Sequence, residues 1–178
     1  MLRGLHGLIA RMVEFPLPLL VAVHGQCLGG GLEVAAAGQL LFVAPEAQLG
    51  QPEIKLAVFA PAASCLLPER IGQAQAEDLL YSGRSISGVE AGRIGLANQV
   101  ADDPVQAALD YYTSHLAGLS GSSLRFAVRA ARCDLAKRVK AKLAAVEEPY
   151  LNGLMATRAA VAGLTAFIEK RPANWENR

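Results

Sequence analysis

Apolar residues in the N-terminal part of the chain follow two patterns, one helical and one continuous. The helical pattern covers residues 1–13, where apolar positions recur at three- and four-residue spacing. The continuous runs are Leu19–Val23 and Leu40–Ala44, which are typical of strands buried on both faces. Between them stand three glycines and an alanine-rich helix that ends at Gly38. The order strand, turn, helix, strand predicts a βαβ unit with parallel strands.

Beyond this unit the apolar pattern weakens and then becomes helical again. The segment 46–60 shows no clear period and is interpreted as irregular. Helices are predicted from Pro61, since proline suits the first helical turn, and over Gln73–Ser82. Ser87 and Glu90 have the spacing of a capping box, in which each side chain bonds a free backbone N–H of a short helix.

The last predicted strand, Leu96–Val100, separates two regions. After it every periodic segment is helical, beginning at Asp103-Pro104 and continuing over Ser122–Val146 and Thr157–Lys170. We therefore expect a sheet-containing body over residues 1–101 and a helical tail over 102–178. The middle tail helix is interpreted as having a solvated basic face. Its basic residues are Arg125, Arg129, Arg132, Lys137, Arg138, Lys140 and Lys142.

Composition narrows the class of protein. The 178 residues are 52% hydrophobic and 19% charged, with a net charge of +1, which excludes a disordered chain and argues against nucleic acid or an anionic membrane as the partner. So few charges favour association with further copies of the chain. The three cysteines are widely spaced and predict neither a disulfide nor a metal site. Prolines and glycines interrupt the uncharged run Phe15–Leu32, so we expect neither a membrane span nor a signal peptide, and a cytoplasmic protein.

The sharpest local feature is the glycine turn Gly29–Gly31, which follows a predicted buried strand and opens a helix. Free N–H groups and the helix dipole at such a turn can hold a phosphate or an oxyanion, although the turn can also serve packing alone. The spacing matches no nucleotide-binding motif. Glu33 lies in the first turn of that helix, and Glu53 follows Pro52 in the irregular segment.

Two carboxylates beside an oxyanion turn suit one reaction, the addition of water to a double bond conjugated with a carbonyl. One carboxylate takes a proton from water, the other gives a proton to carbon, and the turn's N–H groups stabilise the charge on the carbonyl oxygen. Taken singly, Glu33 is equally well explained as a helix-start residue, and Glu53 is better explained as a surface loop residue.

Four segments together resemble the enoyl-CoA hydratase/isomerase (crotonase) family. They are His24–Glu33, Leu49–Ile54, Gly83–Ser87 and Ala91–Asn98, and the C-terminal Leu164–Arg171 is also similar to that family's last helix. The resemblance implies an α/β fold with a ββα spiral core, followed by a helical C-terminal region through which subunits form trimers or hexamers.

The resemblance also implies the site. Glu33 and Glu53 would be the catalytic glutamates and Gly30 an oxyanion donor. The residues expected at an acyl-CoA substrate are Leu28, Gly29, Pro52, Phe59 and Lys170. Coenzyme A is then part of the substrate, and neither a metal nor a separate cofactor is expected.

Within the family, Gly50–Ser64 most resembles the hydratases that act on cyclohexa-1,5-diene-1-carbonyl-CoA in anaerobic aromatic degradation. Phe59–Ser64 replaces a glycine-rich stretch of the general fatty-acid hydratases, which favours a ring-shaped acyl group. The family's first third has no counterpart here, so an N-terminally truncated core is expected. The alternatives are a linear enoyl-CoA hydratase or isomerase and a non-catalytic subunit of the same fold.

Overall fold

Two small sheets organise the fold in a computed structural model that describes residues 2–175. The first sheet has the order β1 (Leu20–Val23), β3 (Leu40–Val43), β6 (Gln99–Val100), all parallel. The second has the order β2 (Gln26–Leu28), β4 (Gln48–Gly50), β5 (Ser85–Ser87), in which β2 and β4 are parallel and β5 is antiparallel to β4.

Eight α-helices surround these sheets within the described residues. They are α1 (Leu2–Val13), α2 (Gly30–Ala37), α3 (Pro61–Ile71), α4 (Gln73–Ser82), α5 (Gly88–Arg93), α6 (Pro104–Tyr111), α7 (Gly121–Glu148) and α8 (Arg158–Ile168). Short 3₁₀ helices cover Pro52–Leu56 and Leu154–Ala156, and π-helical turns cover Tyr112–Leu116 and Pro149–Gly153.

The predicted βαβ unit is confirmed, because β1 and β3 pair in parallel with α2 between them. The strands β2, β4 and β5 fall where no strand was predicted. Each has three residues, too few to show a period, and their hydrogen bonds are made to one another across long stretches of chain. The capping box forms only in part. Ser87 Oγ accepts the N–H of Glu90, whereas the Glu90 carboxylate pairs with Arg84 at 2.9 Å.

The helical tail shares its hydrophobic core with the body. Val139 and Leu143 of α7 belong to the same buried cluster as the strands, and α7 packs on α1 and α3. Helix α8 buries its small residues rather than its large ones, because a Cβ at Gly163 would overlap the carbonyl of Leu56. The large apolar residues of α8, Val161, Phe167 and Ile168, stay exposed in consequence. Elsewhere in the tail Val105, Leu109, Tyr112 and Leu119 are exposed as well. Residues 176–178 of the predicted tail lie outside the described residues.

Two arginines bind the C-terminal end of α2. Arg70 Nη1 donates to the carbonyls of Ala36 at 3.1 Å and Gly38 at 2.7 Å, and Arg132 Nη2 donates to that of Ala37 at 3.2 Å. Cations at this position complement the partial negative charge of a helix C-terminus.

The interpretation of the α7 basic face as fully solvated is therefore wrong at Arg132. Arg138, by contrast, stays exposed on this face while it bonds Glu69 through two nitrogens at 2.7 and 2.8 Å. No single described helix is long and apolar enough to cross a membrane; Gly121–Ala156 and Arg158–Ile168 meet that standard only when taken together across a bend of 79°.

Replacing Arg70 with methionine should lower the free energy of unfolding by about 1.5–3 kcal/mol, the usual range for hydrogen bonds to a charged group. Methionine keeps much of the apolar stem but leaves the carbonyls of Ala36 and Gly38 without this donor. Urea unfolding followed by circular dichroism measures the change. The control is Arg171→Met, whose partner Glu169 is exposed, and it should leave stability unchanged. Equal effects of the two substitutions would contradict the role of Arg70.

Candidate active site

The glycine turn connects β2 to α2 and lies beside the end of β4. Gly29 has φ 55° and ψ −126°, a combination that essentially only glycine adopts. Its N–H donates to the carbonyl of Gly50 at 2.9 Å, which holds the turn against the second sheet. The chain then enters α2 at Gly30, so the first N–H groups of that helix emerge beside the turn.

The peptide group between Gly29 and Gly30 is held in one orientation. Its carbonyl accepts the N–H of Glu33 at 3.0 Å and Nε2 of Gln51 at 3.3 Å. Because the peptide is trans, pinning the carbonyl aims the N–H of Gly30 in the opposite direction. Gln51 is only 1% exposed. Sequence reasoning missed it, and the sole signal was its place between Gly50 and Pro52 in a segment already singled out.

Glu33 is a buried carboxylate with a defined partner. It is 3% exposed, and its Oε1 accepts the N–H of Ala63 in the first turn of α3 at 2.9 Å. Burial raises the pKa of Glu33, while the N–H groups of Ala63 and Ala62 and the positive charge of His6 act to lower it. This carboxylate therefore has neighbours that favour its charged form inside a site that disfavours charge.

Glu53 approaches the glycine turn from the other side. It lies in the 3₁₀ helix after β4, with its carboxylate carbon 3.3 Å from where a Cβ on Gly29 would be, so only glycine leaves room for it. Its Oε2 is buried without a hydrogen-bond partner. Burial raises the pKa of Glu53, and the negative charge of Glu33 raises it further, against the lowering effect of its own backbone N–H.

The structure thus brings Glu33 and Glu53 to the same glycine turn, although β3 and β4 separate them in the chain. Two carboxylates at one turn can hold a single proton, either on Glu33 or on Glu53. The N–H of Gly30 points away from the Gly29 carbonyl. Of the predicted substrate residues, Leu28 ends β2 next to this turn and Pro52 begins the 3₁₀ helix. Lys170, in contrast, is an exposed residue in the left-handed turn after α8.

Phe59 contacts a residue that sequence reasoning did not select for the site. The rings of Phe59 and Tyr150 meet edge to face, with centroids 5.1 Å apart at 83°. Burial raises the pKa of Tyr150, and the negative charges of Glu53 and Glu33 raise it further. No local pattern reveals this contact, because Tyr150 lies in the tail and was not distinguished from an ordinary core residue.

His6 is a third residue that the sequence did not place near the site. It is 4% exposed, and its Nδ1 lies 2.6 Å from Oε2 of Glu147 in the last turn of α7. His6 is close enough for its charge to lower the pKa of Glu33. Within residues 2–175, no three His, Cys, Asp or Glu side chains cluster so as to hold a metal ion.

A cavity of about 550 Å³ lies between the end of α1 and α7. Its lining includes Phe15, Val128 and Cys133 but not Glu33, Glu53 or any residue of the glycine turn. We place the candidate site at the turn, because that is where the buried titratable groups and the free helix N–H groups meet.

Comparison with known proteins gives a consistent result. The chain matches the family described as enoyl-CoA hydratase/isomerase over residues 3–178. It is 66% identical over 178 residues to the cyclohexa-1,5-dienecarbonyl-CoA hydratase of Thauera aromatica, covering 100% of this chain and 69% of that protein. A probable enoyl-CoA hydratase of Mycobacterium leprae (strain TN) is 37% identical over 164 residues, 90% of this chain and 63% of that protein.

A solved structure supports the same fold. The crystal structure of an enoyl-CoA hydratase/isomerase from Pseudoalteromonas atlantica T6c has a TM-score of 0.84 and 28% identity, over 94% of this chain and 68% of that one. The predicted α/β fold class is therefore confirmed. The chain spans roughly two thirds of the length of these relatives.

We expect Glu33→Gln to raise the free energy of unfolding at pH 7. Burial raises the pKa of Glu33 in the folded state, so the folded protein binds this proton more tightly than the unfolded chain does. Wild-type stability therefore falls as the pH rises above the unfolded value of about 4.3. Glutamine can still accept the N–H of Ala63, so its stabilising effect should be present at pH 7 and absent near about pH 4.

Urea unfolding at the two pH values measures the effect, with the exposed Glu46→Gln as the matched control. A Glu33→Gln protein that is less stable than wild type at pH 7, but equally stable in acid, would show that the sign is wrong.

Proposed function

The chain belongs to the enoyl-CoA hydratase/isomerase family, and from that membership we propose that it is a hydratase. It adds water to a double bond conjugated with the carbonyl of an acyl-CoA thioester. The observation that carries this proposal is the meeting of two carboxylates, the buried Glu33 and the half-buried Glu53, at the Gly29–Gly30 turn. The reaction class is a hydro-lyase, and coenzyme A enters as part of the substrate, with no further cofactor.

The two glutamates have different roles in this proposal. Glu33, with backbone N–H partners and His6 nearby, is the base that takes a proton from water as its oxygen bonds to the substrate. Glu53, with an unpartnered oxygen and a negative neighbour, is the acid that gives its proton to carbon. The N–H of Gly30 stabilises the charge on the thioester oxygen. Transfer of the proton from Glu33 to Glu53 then restores the starting state.

The proposed substrate is cyclohexa-1,5-diene-1-carbonyl-CoA, an intermediate of anaerobic aromatic degradation. Two observations support a cyclic acyl group. The relative from Thauera aromatica, at 66% identity, carries that substrate in its name. Phe59 places an aromatic ring between the 3₁₀ helix of Glu53 and α3, whose first turn bonds Glu33. Leu28, Gly29 and Pro52 line the same turn, and Lys170 is proposed to contact the coenzyme A portion.

The exposed apolar residues of α6 and α8 support a homotrimer or homohexamer. Val105, Leu109, Phe167 and Ile168 are each about half exposed or more, and such residues in one tail are typical of an interface between copies. We propose that the assembly acts in the cytoplasm.

Glu33→Gln and Glu53→Gln should each lower kcat for hydration by about 10²–10⁴-fold, because each removes one proton-transfer group. KM should change little, because in this proposal neither carboxylate interacts with the coenzyme A portion of the substrate. Steady-state hydration assays measure the loss, with Glu46→Gln as the control. Retained turnover in the double variant would overturn the acid–base assignment. Acyl-CoA binding without any turnover in the wild type would instead indicate a non-catalytic subunit.

The cyclic diene thioester should be hydrated with a kcat/KM at least about tenfold above that of crotonyl-CoA, since a fitted pocket discriminates by this much or more. Competition between the two substrates in one reaction measures the ratio directly. A clear preference for crotonyl-CoA would overturn the cyclic assignment and favour a linear enoyl-CoA hydratase.

A further inference from the structure

Tyr150 contacts the segment that links the 3₁₀ helix of Glu53 to α3, the helix whose first turn bonds Glu33. Its ring packs edge to face on Phe59, which belongs to the short segment between the 3₁₀ helix of Glu53 and helix α3. The first turn of α3 supplies the N–H that binds Glu33. Tyr150 is therefore a tail residue that reaches the junction on which both carboxylates depend.

The Tyr150 side chain is half-buried and close to both acids. Burial raises its pKa, and the negative charges of Glu53 and then Glu33 raise it further. In the described part of the chain its hydroxyl makes no hydrogen bond, although the rest of the ring is packed. The structure thus uses the ring of Tyr150 for packing and leaves its polar end without a protein partner.

The turn that carries Tyr150 is held firmly in place. Glu147 lies 2.6 Å from His6 Nδ1 and 3.3 Å from Arg3 Nε, which fastens the end of α7 to α1. The π-helical turn Pro149–Gly153 begins immediately afterwards and brings Tyr150 back onto the body. A ring anchored in this way costs little ordering when a ligand packs against it.

We propose that Tyr150 is a specificity-determining residue that forms, with Phe59, an aromatic wall for a planar six-membered acyl ring. This inference rests on the proposed function. Two rings fixed edge to face present a rigid apolar corner, against which a flat conjugated ring packs over most of its area. A linear four-carbon acyl chain covers much less of that corner, so the wall favours the cyclic substrate.

Tyr150→Leu should lower kcat/KM for the cyclic diene thioester by about tenfold while changing that for crotonyl-CoA by no more than about twofold. Tyr150→Phe, which keeps the ring, should retain the wild-type ratio. Phe59→Leu should shift the ratio in the same direction, and the double variant should lose less than the product of the single losses. Tyr112→Leu, at an exposed tyrosine of the same tail, is the matched control.

Binding separates this inference from the proposed function. Dissociation constants of benzoyl-CoA and butyryl-CoA, measured by calorimetry, should show the same loss of ring preference in Tyr150→Leu whether or not turnover occurs. Equal losses of affinity for both ligands would contradict the proposed aromatic wall. So would a ratio of the two affinities that falls as far in Tyr150→Phe as in Tyr150→Leu. A wild-type protein that shows the ring preference but no hydration would overturn the proposed function alone.

Discussion

The orientation of one peptide group, between Gly29 and Gly30, is the constraint on which the site depends. A positive φ at Gly29 lets the turn leave β2 and enter α2 with its carbonyl bound by Glu33 and Gln51. The absence of a side chain there also admits the Glu53 carboxylate. The same glycine therefore aims a free N–H, starts the helix that carries one acid and makes room for the other. Any larger residue would disturb all three at once.

Electrostatics work in opposite directions at the two ends of α2. At its N-terminal end, burial raises the pKa of Glu33, and the pKa of the neighbouring Glu53 is raised as well. Its C-terminal end is stabilised by Arg70 and Arg132. Burial lowers the pKa of Arg70 to about 10, so this stabilisation also places charge out of water. Charge thus stabilises the C-terminal end of the helix, whereas at the N-terminal end burial shifts the pKa of a carboxylate that can transfer a proton, a pattern common at functional sites.

The tail completes the body instead of forming a separate unit. Helix α7 fills part of the common core, and its end is tied to α1 through Glu147 and His6. Helix α8 lies against the 3₁₀ helix of Glu53 through Gly163, where a side chain would collide with Leu56. The tail therefore packs against the 3₁₀ helix that holds Glu53, and Tyr150 contacts Phe59 in the segment that follows this helix.

The sequence alone determined the helices, the parallel βαβ unit and the two acids, because these follow from local period, glycine chemistry and recognisable motifs. Only the tertiary structure decided the three-residue strands β2, β4 and β5, whose partners lie far along the chain and whose length carries no period. It also decided the contacts of Gln51, Tyr150 and His6. An uncharged amide, a tail aromatic and a lone histidine carry no local signal, and their effect on the site comes entirely from which elements pack together.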